Sequence, residues 1–263
     1  MRKLGMNAGS FEGISAFNSL SYIKNVGFDS FFTGFKDDET VGKIAEEAVK
    51  KGLTYETIHA PFKGIINNIW KDTEEGEETL RIFKSCADAC SHYDIPVMVV
   101  HLSSGSKPPC VNDIGRSRWD RFVDHAGNVG VTIAFENQRK LANLAFVFEL
   151  YDDVPHVKFC WDNGHEACFA HSMEYMPLFG KKTVALHIHD NMKEHNQDIH
   201  LLPFDGAIDF NRVAEHIRNS GFEGTVMLEA LPKNSTVYAD YTPEQYYARA
   251  YDAAARLRAL IDG

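Results

Sequence analysis

The stretch from residue 131 to residue 163 begins with "VTIAFEN" (131–137) and ends with "VKFCWDN" (157–163). Both runs are rich in β-branched and aromatic residues, which is typical of buried strands. The chain between them is long enough to form a crossover helix. Two strands joined in this way form a βαβ unit, in which the strands are parallel. The stretch therefore indicates an α/β fold.

The same alternation extends along the whole chain. Eight strand-like runs are found, at 3–7, 29–34, 54–60, 97–102, 131–137, 157–163, 183–190 and 225–230. Amphipathic stretches with helical periodicity lie between them, for example at 39–51, 75–93, 114–129, 209–220 and 243–261. Eight strands alternating with helices over about 250 residues predict a closed (β/α)₈ TIM barrel, with residues 1–263 as a single domain. The alternative is an open doubly wound sheet, but "MNAGSFEG" (6–13) lacks the G-x-G-x-x-G loop of that fold.

The composition is that of a globular protein with an excess of acidic residues. Apolar residues make up 44% of the chain, charged residues 24%, and the formal net charge is −10. This charge argues against nucleic acid and anionic membranes as partners. Five cysteines without a secretory signal or an apolar span predict a reduced, cytoplasmic protein. The expected partner is a small molecule, and the sequence leaves open whether the chain forms a homo-oligomer.

Six consecutive runs end in side chains that can bind a metal. In chain order they are His59, His101, Glu136, Asp162, His187 and Glu229. A single residue of this kind at a strand end is usually hydrogen-bonded or solvated, so none indicates a site by itself. In a barrel, however, the carboxyl ends of all strands meet at one mouth. Carboxylates that converge there repel one another unless a cation lies between them, so the set predicts a metal centre.

Glu136, Asp162, His187 and Glu229 come from four consecutive runs and are the expected metal ligands. Three carboxylates and one imidazole favour Mn²⁺, Co²⁺ or Mg²⁺, with Zn²⁺ as an alternative because further histidines are present. A metal that chelates a ketone oxygen and its neighbouring hydroxyl acidifies the C–H bond between them. Glu136 and Glu229 are the predicted acid and base of proton transfer through an enediolate. The product is either an epimer or the aldose–ketose isomer.

Seven motifs resemble the sugar phosphate isomerase/epimerase family of xylose isomerase-like TIM barrels, within the AP endonuclease family 2 superfamily. In order along the chain they are "IHAPF", "VVHLSSG", "IAFENQR", "FCWDNGHE", "LHIHDN", "HLLPFDGAIDF" and "VMLEA". The resemblance implies a metal-dependent isomerase or epimerase of a sugar or sugar phosphate. It implies that Glu136, Asp162, His187 and Glu229 hold the metal, that the two glutamates also transfer the proton, and that His165 contacts the substrate.

A sister family, the zinc-dependent endonuclease IV that cuts DNA at abasic sites, implies a different activity. Its nine ligands of three zinc ions all have counterparts here, namely the strand-end residues together with His165, Asp198 and His200. The alternative function is therefore that of a multinuclear zinc phosphodiesterase. The net charge of −10 argues against a DNA substrate and favours the isomerase. Lys193 is a further substrate-contact candidate, at a place where some epimerases have an arginine.

Several other residues carry weaker signals. His189 follows His187 on the same side of its strand and is expected beside the metal ligands. Four aromatic residues near strand ends are expected either to line the substrate site or to belong to the core, namely Phe11, Phe62, Trp70 and Trp161. The remaining histidines are expected at the surface without a function, namely His92, His125, His156, His171, His195 and His216.

Overall fold

The sheet of the computed structural model, which describes residues 1–170 and 173–263, is built from parallel strands. In the described ranges these are β1 (Leu4–Asn7), β2 (Ser30–Gly34), β3 (Thr54–His59), β4 (Val97–Val100), β5 (Thr132–Glu136), β6 (Val157–Asp162), β7 (Thr183–His187) and β8 (Val226–Leu228). Each strand pairs with the next one along the chain as far as β7, and β1 also pairs with β8. All eight runs identified in the sequence correspond to these strands. The predicted barrel of parallel strands is confirmed.

The barrel closes between β7 and β8 through a short contact. One parallel bridge joins Ile188, directly after β7, to Leu228 of β8. The N–H of Ile188 donates to the carbonyl of Met227 at 2.9 Å, and the N–H of Glu229 donates to the carbonyl of Ile188 at 2.9 Å. These bonds hold the backbones of His187 and Glu229 close together at the carboxyl ends of the strands.

Helices pack against the outside of the sheet. In the described ranges the α-helices are α1 (Ala16–Val26), α2 (Asp38–Lys51), α3 (Glu74–His92), α4 (Asp113–Asn128), α5 (Leu141–Leu150), α6 (Asn163–Phe169), α7 (Met176–Phe179), α8 (Phe210–Ser220) and α9 (Pro243–Asp262). Polar caps begin several of them, as where Asp37 accepts from the N–H of Thr40 at 2.7 Å before α2. The five amphipathic stretches found in the sequence correspond to α2, α3, α4, α8 and α9. No helix in the described ranges is long and apolar enough to cross a membrane.

Two apolar clusters form the core. The larger one contains the bulky side chains packed between strands and helices. The smaller one, here called the floor layer, consists of Val99, Ala134, Cys160 and Ala185 from β4 to β7. Side chains alternate between the two faces of a strand, so the next residues on the same face of β5, β6 and β7 are Glu136, Asp162 and His187. The floor layer therefore lies directly beneath these polar side chains.

Candidate metal centre at the barrel mouth

The strand-end side chains identified in the sequence meet at one end of the barrel. Four belong to the last residue of a strand, and the other two directly follow β4 and β8. They are His59, His101, Glu136, Asp162, His187 and Glu229. All are buried except Glu229, whose side chain is 17% exposed. Glu229 is thus the member of the set with the most direct access to the mouth.

Four of these side chains, here called the main donor group, can surround a single cation. The group consists of Glu136, Asp162, His187 and Glu229, and one potential ligand atom from each lies within 4.8 Å of the others. The Nδ1 atom of His187 is 3.4 Å from Glu136 Oε2 and 3.2 Å from Glu229 Oε2. A six-coordinate ion held by four such donors would keep positions open for substrate oxygens.

His59 and His101 form a second donor group with Glu136. Their Nε2 atoms are 3.2 Å apart, and each lies 3.1 Å from Glu136 Oε2. The Nδ1 atom of His59 is 2.7 Å from the carbonyl of Ala60. An imidazole that donates through Nδ1 presents the lone pair of Nε2. His59 can therefore bind a metal ion that lies between its Nε2 atom and Glu136. Glu136 therefore belongs to two donor groups.

A third group, here called the loop donor group, joins α6 to the connection between β7 and α8. It consists of His165, His189, Asp198 and His200. The Nε2 atoms of His165 and His200 lie 3.2 Å and 3.0 Å from Asp198 Oδ2. The structure thus brings Asp198 and His200 next to His165.

The main donor group fits a divalent metal, because several of its buried atoms make no hydrogen bond. Among the described residues, Asp162 Oδ2, His187 Nδ1 and Glu229 Oε2 are buried without a hydrogen bond. Leaving a buried polar atom unsatisfied costs about 1–3 kcal/mol. Carboxylate oxygens and imidazole nitrogens are common ligands of divalent metals, and a cation between them would satisfy all three atoms.

Ionisation at the mouth favours bound positive charge. Burial raises the pKa of Glu136, but the His101 and His187 imidazoles outweigh it and bring the pKa well below the ordinary value. The same competition between burial and the His187 imidazole lowers the pKa of Glu229 to about 2. Burial lowers the pKa of His200, but the hydrogen bond with Asp198 raises it to about 9. The carboxylates are therefore ionised near neutral pH and attract a cation, either a proton or a metal.

Two asparagine side chains form hydrogen bonds with the main chains of Asp162 and His189 and fix their positions. Asn137 donates from Nδ2 to the carbonyl of Asp162 at 2.7 Å and accepts from its N–H at 2.8 Å. Asn163 makes the same pair of bonds with the main chain of His189, at 2.9 Å and 3.0 Å. Asp162 also caps α6 by accepting from the N–H of His165 at 2.6 Å. These bonds fix the positions of the candidate ligands, as hydrogen bonds behind metal sites generally do.

Two residues that the sequence pattern did not single out contact the donors. The Nε2 atom of Gln138 is 3.1 Å from His101 Nε2 and 3.0 Å from His165 Nδ1. Cys160 in the floor layer lies within 4.8 Å of a ligand atom of Glu136 and of His187. Burial raises the pKa of its thiol to about 12, so it is protonated and contacts His187 as a neutral group. Both residues lie two positions from a donor in the chain, and this spacing is the signal that could have identified them.

The remaining candidates separate into those near the donors and those elsewhere. The ring of Phe62 lies 4.4 Å from that of His101, whereas Phe11, Trp70 and Trp161 pack with other parts of the core. Lys193 is exposed, belongs to none of the donor groups, and lines a neighbouring cavity of about 480 Å³.

The expectation of a surface position was wrong for His216. This side chain is buried because α8 packs it against Trp161, with the ring centroids 5.8 Å apart. His92 and His195 are exposed, and His125 and His156 are half-buried. His171 lies outside the described residues.

Comparison with known proteins agrees with this arrangement of strands. The family profile of xylose isomerase-like TIM barrels matches residues 20–257. The chain belongs to this family. A relative in Sinorhizobium fredii, the uncharacterized protein y4fM, is 32% identical over 151 residues, which are 57% of this chain and 46% of that protein. The chain therefore spans less than half the length of this relative.

Solved structures with the same fold superimpose over nearly the whole barrel. The 3-keto-D-glucoside 4-epimerase of E. coli is 19% identical with a TM-score of 0.74, covering 98% of this chain and 100% of that one. The D-psicose 3-epimerase of Clostridium cellulolyticum H10, solved with D-tagatose, is 15% identical with a TM-score of 0.76, covering 98% and 99%. A D-psicose 3-epimerase in the presence of D-fructose is 15% identical with a TM-score of 0.79, covering 99% and 100%. At these identities the likeness establishes a common fold.

Proposed function

We propose that this protein is a divalent-metal-dependent isomerase or epimerase of a sugar or sugar phosphate. The observation that carries the proposal is the main donor group, in which two glutamates, an aspartate and a histidine bring together buried atoms that make no hydrogen bond within the described residues. The epimerase activities named for the structural relatives are of the same reaction class. Glu136, Asp162, His187 and Glu229 would hold the metal. When bound, Mn²⁺, Co²⁺, Mg²⁺ or Zn²⁺ would polarise the substrate carbonyl and acidify the neighbouring C–H bond.

The two glutamates have different surroundings and therefore different roles. Glu136 Oε2 lies within 3.4 Å of His59, His101 and His187, and its side chain is 1% exposed. Glu229 is 17% exposed and approaches His187 at 3.2 Å. Glu229 can therefore reach a substrate carbon more readily, and we assign it the removal of the proton.

The way in which the proton returns determines the product. Return by Glu229 to the neighbouring carbon of the enediolate gives aldose–ketose isomerisation. Epimerisation results if Glu229 passes its proton to solvent and Glu136 takes up a solvent proton and delivers it to the opposite side of the same carbon. The pKa of Glu229, lowered to about 2 by His187, keeps its carboxylate ionised and ready to accept a proton near neutral pH. The ring of Phe62 beside His59 and His101 offers an apolar surface for the substrate.

A multinuclear zinc phosphodiesterase is the second candidate. It is supported by the two further donor groups, which together with the main group contain all nine residues that correspond to the zinc ligands of endonuclease IV. The formal net charge of −10 opposes it, because binding to DNA is largely driven by contacts between basic side chains and phosphates. The proposal of a small-molecule substrate therefore takes precedence.

Exchange of substrate hydrogen with solvent deuterium tests the proposal without knowledge of the product. The metal-free protein is reloaded with Mn²⁺ or Co²⁺ and incubated in D₂O with a panel of ketoses and ketose phosphates, and deuterium incorporation is followed by NMR. We expect exchange at one carbon adjacent to a carbonyl, only in the metal-loaded protein. Absence of exchange across the panel, together with cleavage of an abasic-site duplex, would favour the phosphodiesterase instead.

A further inference from the structure

A cavity of about 630 Å³ lies at the mouth end of the barrel, between the connections that follow β1 and β8. The first connection contributes Phe11 and Glu12 to its lining. The second contributes Pro232 and most of the residues from 233 to 241. β1 and β8 are paired in parallel, so both connections leave the barrel at the same end as the strand-end donors. No donor in the described ranges lines this cavity, which is therefore separate from the metal centre.

The cavity is close to Glu229, to which we assign the removal of the substrate proton. Pro232 follows Glu229 by three positions, so their Cα atoms are at most about 11 Å apart. Asn7, at the end of β1, contacts the chain between these two residues, since its Nδ2 donates to the carbonyl of Ala230 at 3.2 Å. A ligand bound near Glu229 can therefore extend into the cavity over a distance comparable with the length of a disaccharide.

Asn7 provides a free acceptor where the mouth meets the cavity. Its Oδ1 atom is buried and has no hydrogen bond within the described residues, whereas its Nδ2 is held by the carbonyl of Ala230. The side-chain amide is thus fixed with one acceptor unused, which is unfavourable for a buried group. A ligand that carries hydroxyl groups can donate to this oxygen as it passes from the mouth into the cavity.

Two aromatic rings give the cavity an apolar surface. Phe11 and Tyr241 are half-buried, and both line the cavity. Phe11 packs against Tyr246 of α9 with the ring centroids 5.6 Å apart, and Tyr241 packs edge-on against Tyr238 at 5.7 Å. These contacts hold the rings in place, so little side-chain entropy is lost when a ligand binds. The flat C–H face of a sugar ring is a suitable partner for such rings.

The rest of the lining is polar and has no excess of either charge. Asn234, Ser235 and Thr236 offer side-chain donors and acceptors for hydroxyl groups. Glu12 and Lys233 are the charged residues of the described lining, and their charges are opposite. A phosphate would meet an acidic side chain as well as a basic one. The lining therefore favours a neutral ligand with many hydroxyl groups.

We propose that this cavity binds a second sugar ring of the substrate, joined to the reacting ketose by a glycosidic bond. The inference rests on the proposed function and specifies its substrate as a glycoside rather than a free monosaccharide or a sugar phosphate. Phe11 and Tyr241 contact the ring that does not react, and Asn7 accepts a hydrogen bond from a hydroxyl near the linkage. Binding of the remote ring holds the reacting carbon beside Glu229 and thereby contributes to the rate.

Equilibrium binding tests this inference without any need for turnover. The Mn²⁺-loaded protein is titrated by calorimetry with D-fructose and with maltulose and isomaltulose, which carry a glucosyl ring at O4 and O6 of the fructose unit. We expect at least one of the disaccharides to bind roughly 10-fold more tightly than D-fructose, because the second ring adds contacts at little extra entropic cost. D-fructose 6-phosphate is the charged comparison.

Tyr241→Ala and Phe11→Leu show which side chains provide this gain. In Tyr241→Ala the affinity for the disaccharide should fall to within about twofold of that for D-fructose, and the affinity for D-fructose should not change. Phe11→Leu keeps an apolar side chain but loses the flat ring, so it should lose part of the gain. Phe17→Leu is the matched control, because Phe17 is an exposed aromatic residue of α1 outside the lining, and it should bind like the wild type.

The proposal is overturned if neither disaccharide binds more tightly than D-fructose to the wild-type protein, or if the gain survives in both cavity variants. A larger gain from D-fructose 6-phosphate that depends on Tyr241 would assign the cavity to a phosphate and would also overturn it. Should Phe11→Leu fail to fold, Tyr241→Ala alone decides.

Deuterium exchange with the same sugars distinguishes failure of this inference from failure of the proposed function. A gain in binding without exchange would support the second sugar ring and contradict the proposed reaction. Exchange of D-fructose without a gain for either disaccharide would contradict the second sugar ring alone.

Discussion

Two buried polar clusters in this molecule differ in how their polar atoms are satisfied. The guanidinium of Arg118 on α4 is buried, and it makes four hydrogen bonds to acceptors of the chain. It donates to Glu77 Oε1 at 2.9 Å, to the carbonyl of Ile69 at 2.9 Å, and to the carbonyls of Lys71 and Thr73. At the barrel mouth, by contrast, carboxylates and imidazoles face one another and several of their atoms lack a hydrogen bond within the described residues.

The difference separates a structural role from a binding role. A buried charge whose hydrogen bonds are all made within the chain needs no further partner and contributes to one folded arrangement. A buried group of acceptors without donors is costly until a cation arrives. The Arg118 cluster should therefore respond to mutation through stability, and the mouth through metal binding and activity.

The largest effect is expected for Glu229→Gln. The amide cannot accept a proton as a base, so the rate of deuterium exchange should fall about 10²–10⁴-fold while the fold is retained. Glu77→Gln serves as the control, because Glu77 is an acidic residue of the Arg118 cluster. The exchange rate of this variant should stay near that of the wild type. Equal rates in the two variants would contradict the division between the clusters.

Removal of the metal should lower the free energy of unfolding, and the decrease depends on how tightly the metal binds. With metal at 100 times its dissociation constant, chelation is expected to lower the free energy of unfolding by about 2.7 kcal/mol. Urea denaturation with and without chelator measures this change. Glu136→Gln, which removes a charge from two donor groups, should make the chelator effect much smaller. An unchanged midpoint in the wild type would mean that the unpartnered atoms do not hold a metal.

Arg118→Met should lower stability and leave metal content unchanged. The variant loses charged hydrogen bonds and leaves buried carbonyls without donors, which we expect to cost about 2 kcal/mol in the free energy of unfolding. Arg116→Met, at an exposed arginine of the same helix, is the matched control and should change stability little. Loss of metal in Arg118→Met with an intact fold would show that the two clusters are not independent.

The smallest effect is expected for the pH dependence of the stability that Glu77 contributes to the Arg118 cluster. Hydrogen bonds from Arg121 and Arg118 lower the pKa of Glu77 to about 2, below the ordinary value of 4.5. A carboxyl with a lowered pKa in the folded state contributes stability above about pH 4.5, and this contribution is lost as the pH falls through about 2. The difference in melting temperature between wild type and Glu77→Gln should therefore shrink below pH 4.5. A constant difference would contradict the assigned hydrogen bonds.

The barrel and the residues of the main donor group were predictable from the sequence because both depend on strand periodicity. Once β5 to β8 are recognised, their last inward-facing residues must meet at the mouth, and Glu136, Asp162 and His187 are those residues. Glu229 follows from the same argument on β8. The chemistry of these side chains then suggests a cation.

The contacts that depend on the folded connections were not predictable. The distance between His189 and Asp198 follows from the fold of a connection organised by Asp190, which has no regular periodicity. The burial of His216 depends on how α8 packs against the neighbouring Trp161. Gln138 contacts two histidines through a side chain whose direction the sequence pattern does not determine.

The central claim is that the unpartnered atoms at the mouth are the ligands of a divalent metal. Anomalous diffraction from crystals of the protein loaded with Mn²⁺, recorded where manganese scatters strongly, tests it most directly. We predict one anomalous peak surrounded by Glu136, Asp162, His187 and Glu229. Absence of a peak among these four side chains at saturating Mn²⁺ would contradict the account.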